Sequence, residues 1–214
     1  MQKPDFRPSR GPVAGGFNPW RTIWTSPRST VRMVIADDPT QWLWVLLVIG
    51  GMSRIMARMS ELPIEGVIAT NALLSLVFVG GPLAGLLLVF AYGRILHAIL
   101  RRFGGVATWV AARTAIVWSL APGLPSIALW AIMIAGYGPN VLSPAALQKT
   151  AGTGRHFILA VDYFVQFGLT MWSLVLEIIT LADVHRLNPW RVLLAEIGLG
   201  LALLAVAMGV FLLL

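Results

Sequence analysis

Apolar residues in this chain come in long unbroken runs rather than in the short alternations of half-buried strands. The first uncharged stretch lies between Asp38 and Arg54 and holds Trp42, Leu43, Trp44, Val45, Leu46, Leu47, Val48 and Ile49. Its 15 residues fall short of the roughly 20 that cross a bilayer. The helix is therefore expected to continue through Arg54 to about Met59, with its arginines at the far end. Between Glu65 and Arg94 stand 28 uncharged residues, about 42 Å of helix against a hydrocarbon core of about 30 Å. Such a helix tilts, protrudes or breaks, and Gly80-Gly81-Pro82 is the expected breaking point. A third run starts near Val106 and reaches about Gly136, interrupted by Pro122 and Pro125. It reads either as one kinked span or as two half-spans in succession. After a polar loop over 138–154, a fourth span is expected over 157–181 and a fifth over 190–214. The expected fold is all-α: a polytopic transmembrane helical bundle of about five spans, some kinked or broken.

Residues 1–38 form a different segment ahead of the membrane domain at 39–214. They lack the apolar core of a signal peptide, and they hold six of the 16 basic residues: Lys3, Arg7, Arg10, Arg21, Arg28 and Arg32. Residues 1–16, with three prolines, three glycines and no periodicity, are expected to be disordered. Asn18-Pro19-Trp20 and Ser26-Pro27-Arg28 each read as an N-cap followed by proline in a first helical turn. From Pro27 to Ala36, Val31, Val34 and Ile35 share one face, and Arg28 and Arg32 another. With Trp20 and Trp24 nearby, this predicts a short helix at the membrane surface. The other reading is a linker helix packed on the membrane domain.

Composition agrees with the pattern. Hydrophobic residues make up 57% of the chain and charged residues 12%, too few charges to cover a water-facing surface of this size. There is no cysteine, so disulfides, thiolate metal sites and cysteine nucleophiles are excluded. The formal charge of +7 is spread between apolar spans, which favours anionic lipid headgroups over nucleic acid as its partner. Five crossings place 12 of the 16 basic residues on the side of the amino terminus. Arg54, Arg58, Lys149 and Arg155 fall to the other side. By the positive-inside rule the amino terminus is cytoplasmic and the carboxyl terminus outside.

The stretch Trp24-Thr25-Ser26-Pro27-Arg28-Ser29-Thr30-Val31-Arg32, with Asn18-Pro19-Trp20-Arg21 before it and Asp38-Pro39 before an apolar span, resembles bacterial members of the Ypt-interacting protein (Yip) family. So does the later order of a long span, basic residues His97 to Arg102, Phe103-Gly104-Gly105 and a helix reaching Pro122. The resemblance covers residues 18–214 in layout. It implies a five-helix domain with a cytoplasmic amino terminus in the bacterial inner membrane. Eukaryotic relatives bind Rab-type GTPases through a cytosolic segment bearing an acidic D-L-x-G-P motif, which this chain lacks.

No catalytic signature stands out. His97, His156 and His185 are far apart along the chain and not in metal-ligand spacing. There is no phosphate-binding glycine loop and no serine elbow, so neither metal nor cofactor is expected. Gly50-Gly51 and Gly80-Gly81 point to close helix packing or local flexibility before a ligand role. Charges at membrane depth are the sharper signal, since burying one costs at least about 2.5 kcal/mol. The candidate polar network is Arg113, Asp162, Gln166, Glu177 and Glu196, with Arg113 expected to pair with Glu177 or Glu196 to fix helix register. The competing reading has each charge reach the headgroup layer. Arg94, His97, Arg101 and Arg102 form a candidate cytoplasmic patch for headgroups, another anion or an acidic protein partner. Asn188-Pro189-Trp190-Arg191 repeats Asn18-Pro19-Trp20-Arg21 letter for letter, as one capping device used twice. These features predict a non-enzymatic scaffold that organises membrane or binds a partner, self-association included. The alternative is a small transporter or channel with a site at the broken spans.

Overall fold

The computed structural model describes residues 17–61, 70–138 and 153–213. The expected disordered start at 1–16 and most of the polar loop, 139–152, lie outside the described residues. Two short helices, α1 (Pro19–Thr22) and α2 (Pro27–Asp37), precede α3 (Leu43–Glu61). A long helical rod over 70–102 follows as α4, then α5 (Trp109–Ser119), α6 (Gly123–Tyr137), α7 (Thr153–His185) and α8 (Pro189–Leu213). Four stretches are long and apolar enough to cross a membrane: Leu76–Arg102, Trp109–Tyr137, Phe157–His185 and Pro189–Phe211. The outward side chains of α7 and α8, among them Phe164, Leu201, Val206 and Phe211, are exposed and apolar. In water that surface would aggregate; in a bilayer lipid covers it. The protein is a multi-pass membrane protein.

Helix α3 is held by glycines on two sides. A Cβ on Gly51 would come within 1.9 Å of the Gly81 carbonyl oxygen, and one on Gly85 within 2.1 Å of the Leu47 carbonyl oxygen. Gly50 faces Leu120, and Gly123 approaches the Gly50 backbone. One glycine pair thus seats both α4 and the α5–α6 hinge against α3. Lipid tails compete for apolar contact as well as side chains do, so close backbone approach is what such packing gains.

The expected break at Gly80-Gly81-Pro82 does not occur. The α4 rod stays continuous through two widened, π-helical turns, Leu76–Gly80 and Leu87–Tyr92, which flank Gly81–Leu86. Pro82 has no N–H to donate, and its ring crowds the carbonyl one turn back. The wider turn before it takes up that misfit, so the rod bulges instead of ending. The third run does interrupt, at residues 120–122, where α5 gives way to α6.

The apolar face of helix α2 packs on protein. Thr30, Val31 and Val34 are buried, with α5 and α7 as neighbours. The Arg32 guanidinium forms a bidentate ion pair with Asp183 of α7, Nε standing 2.6 Å from Oδ2. Asp183 holds Arg32 above its ordinary pKa, through the hydrogen bond first and the charge second. Arg32 is 67% exposed, so the pair contributes at most about 1 kcal/mol and serves mainly to orient α2. The periodicity gives α2 an apolar face but does not say what covers it. Thr114 Oγ1 donates to the Pro39 carbonyl at 3.0 Å, tying the α2–α3 link to α5. Beside it, the hydroxyl and then the backbone N–H of Thr40 hydrogen-bond to Asp38 and lower its pKa.

Asn18 and Asn188 each accept a bond from the N–H two residues on, both at 3.0 Å. The repeated Asn-Pro-Trp-Arg therefore makes the same cap twice, although Trp20 then packs on Trp42 and Trp118 while Trp190 stays exposed. Ser26 makes no side-chain cap bond.

Substituting Gly51→Ala should lower stability in detergent by about 1–3 kcal/mol, the range for overpacked interiors. Gly198→Ala, where a Cβ meets nothing within 4 Å, should leave it unchanged or slightly raised. Paired melting curves of the two variants test this.

Candidate functional site

The helices line a half-open cavity of about 810 Å³, with walls from five directions. Helix α3 contributes Gly50, Ser53 and Arg54, and α4 contributes Leu88 and Tyr92. The hinge and α6 supply Pro122, Ser126, Trp130 and Met133, α7 runs past it from Leu159 to Glu177, and α8 adds Glu196. The glycine seats set α4 and the hinge against α3 near Gly50, and the cavity lies along the face of α3 that carries Gly50, Ser53 and Arg54.

Four of the five residues of the expected network line this cavity: Asp162, Gln166, Glu177 and Glu196. Ser126 Oγ donates to Gln166 Oε1 at 2.6 Å, and Gln166 Nε2 donates back to the Ser126 carbonyl at 3.2 Å. The Tyr92 hydroxyl donates to Glu196 Oε2. Glu177 is buried, 4% exposed, and interacts electrostatically with Glu196 and Arg54. Among the described residues, Asp162 Oδ1, Glu177 Oε1 and Glu196 Oε1 are buried with no hydrogen-bond partner.

Arg113 is the member left out. It is not among the cavity residues, it makes no ion pair among the described residues, and its Nε is buried without a partner. The cation that faces both glutamates is Arg54. Sequence gives the depth of a charge along its span but not the direction it faces. Arg54 was assigned to the far end of α3 because that span was short of apolar residues, which hid its place beside the glutamates.

At the other end of the bundle, α4 and α7 stop in the same way. Gly104 (φ +92°) and Arg186 (φ +54°) take left-handed backbone. Gly105 N–H bonds back to the Leu100 carbonyl and Leu187 N–H to that of Ala182, both at 2.9 Å, a Schellman cap in each case. The two caps meet where Val106 N–H donates to the His185 carbonyl at 3.2 Å.

This brings His97 and His185 together, Nδ1 to Nε2 at 3.3 Å, although 88 residues separate them. A Cβ on Gly105 would come within 2.2 Å of His185 Nδ1, so the glycine makes room for the ring. His97 therefore does not belong to the expected surface patch, because its helix turns it inward to His185. Arg94, Arg101 and Arg102 are exposed, and the Arg94 guanidinium lies over the Trp109 ring at 4.8 Å. The side chain of His156 lies outside the described residues. Among the described residues no group of three or more His, Cys, Asp or Glu is placed to hold a metal ion.

The Yip1 domain family model matches residues 20–211, nearly the whole chain and all of the residues that line the cavity. Searches of curated proteins and of solved structures returned no match.

Tyr92→Phe removes the donor to Glu196 and should cost about 1–3 kcal/mol, as expected for a bond to a charged or strongly polar buried group. Tyr163→Phe, an exposed cavity residue, should stay within about 0.5 kcal/mol. Denaturant titration in mixed micelles gives both values.

Proposed function

The chain belongs to the Yip1 domain family, and on that premise we propose a non-enzymatic scaffold that organises the membrane through its basic end. The observation that carries this reading is the gathering of exposed cations at one end of the bundle. Arg94, Arg101 and Arg102 leave the end of α4, and Arg186 and Arg191 flank the α7–α8 turn. Arg32 joins them through Asp183, and Arg21 and Arg28 are exposed on α1 and α2. Arg191 Nη1 donates to the Phe103 carbonyl at 3.4 Å, which links the two turns. Few carboxylates interrupt this face, and each cation near an anionic membrane surface contributes about 1 kcal/mol of attraction.

On this reading the basic end is cytoplasmic, in a bacterial inner membrane, with the carboxyl terminus outside. Helix α3 is the fifth crossing; its 19 residues make about 28 Å of helix. The anionic headgroups held at the basic end are its first partner, and an acidic protein or a second copy of the chain docks at the same face. A small transporter or channel is the second reading, favoured by the carboxylates on the wall of the cavity beside the Pro122 hinge.

Triple substitution Arg101→Gln, Arg102→Gln, Arg191→Gln should reduce retention of phosphatidylglycerol at least tenfold relative to phosphatidylcholine, read by native mass spectrometry. The loss should be mimicked in the unaltered protein by raising ionic strength. Unchanged retention in the triple variant would sink the headgroup reading. Solute flux across vesicles containing the protein, abolished by Glu177→Gln, would replace the scaffold with the transporter.

A further inference from the structure

Two glutamates on the cavity wall each keep one oxygen without a donor. Glu177 is 4% exposed, and its Oε1 is buried without a partner on the cavity wall. Glu196 Oε1 is in the same condition across from it, its other oxygen being taken by Tyr92. Orphaned buried acceptors are costly, about 1–3 kcal/mol each, and more so at membrane depth. A group that brings several N–H donors and a positive charge would satisfy both at once. A primary ammonium has three such donors and no acceptor. Arg54 faces the same pair but is itself exposed, so it leaves these two oxygens unbonded and is free to meet an anion beside the ammonium.

The rest of the cavity says what carries the ammonium. From Glu177 the space runs along α7 to Asp162, about 22 Å at the α-helical rise. Its far walls are Trp130, Met133, Phe167 and Met171. Tyr163, Phe167 and Met171 line the cavity yet are exposed, which marks the side on which it opens from α7 toward lipid. A ligand that enters there comes from the bilayer and leaves its chain against apolar side chains.

We propose that this cavity binds an amine-headed amphiphile, with its ammonium on Glu177 and Glu196 and its chain along Trp130, Met133, Phe167 and Met171. The chemistry is shared by an ethanolamine phospholipid, whose phosphate would face Arg54, and by a free long-chain amine. The site is distinct from the basic end and does not depend on headgroup binding there.

The full-length protein in maltoside detergent is titrated with lysophosphatidylethanolamine and with lysophosphatidylcholine of the same acyl chain, and native mass spectrometry counts bound ligand. The two differ by three N-methyl groups, which remove every N–H donor. The ethanolamine form should bind at least tenfold more tightly, and Glu177→Gln should abolish that preference while leaving the melting temperature near that of the parent. Thr170→Trp, which fills the cavity from its exposed lining on α7, should lose both ligands. It keeps the test valid if Glu177→Gln does not fold.

Dodecylamine and ethanolamine are added as competitors to separate the sources. Stronger competition by dodecylamine than by unlabelled lysophosphatidylethanolamine assigns the site to a free amine, and the reverse assigns it to the phospholipid. Ethanolamine alone should not compete. Equal binding of the two lysolipids, or a preference that survives both substitutions, overturns the proposal.

Discussion

Close backbone approach at Gly50 and Gly51 is the constraint around which the bundle is arranged. On one side α4 comes so near that the Gly81 carbonyl occupies the place of a Gly51 side chain. On the other, Leu120 and Gly123 bring the α5–α6 hinge down on Gly50. Within a membrane there is little apolar surface to remove from water, so dispersion at such contacts has to hold helices together. On the next turns Met56 and Met59 pack with Val77 of α4 and with Trp130 and Met133 of α6. Arg54 lies on a different face of α3, the one that carries Gly50 and Ser53, and lines the cavity with the glutamates of α7 and α8.

The basic end is built on a different principle. Its contacts are polar and directional: two Schellman caps, one strand-like backbone bond between turns, the His97–His185 contact and the Arg32–Asp183 fork. Water competes for such bonds at the membrane surface, so each is modest. Together they fix the relative height of α2, α4, α7 and α8. The bundle is thus gripped by glycine packing in its middle and by hydrogen bonds at one end.

Much of this was legible in the sequence. Lengths of uncharged residues located the apolar helices, and Asn-Pro-Trp-Arg marked two helix starts, because both signals depend on local chain chemistry. What escaped was angular. Arg113 and Glu177 could be placed at similar depth, yet whether they met depended on helix rotation, which a lone sequence does not encode locally. His97 and His185 became neighbours only through two caps and a missing Cβ at Gly105. The arginine on the cavity was hidden because Arg54 had been needed to lengthen a short span. For α2 the apolar face was plain, but lipid and protein accept the same valines.

The two π-helical turns of α4 have a consequence for how this sequence tolerates change in length. Each such turn behaves as one residue inserted into an ordinary helix, and one residue is roughly 100° of rotation. Tyr92 closes the second turn and His97 lies beyond both, so the directions they face depend on the insertions before them. Losing one residue within Leu87–Tyr92 would leave a good helix with unchanged hydropathy, and would swing Tyr92 away from Glu196 and His97 away from His185. The rod therefore works as an indexed part. A point substitution along it disturbs one contact, while a single-codon deletion would re-aim both polar contacts at once.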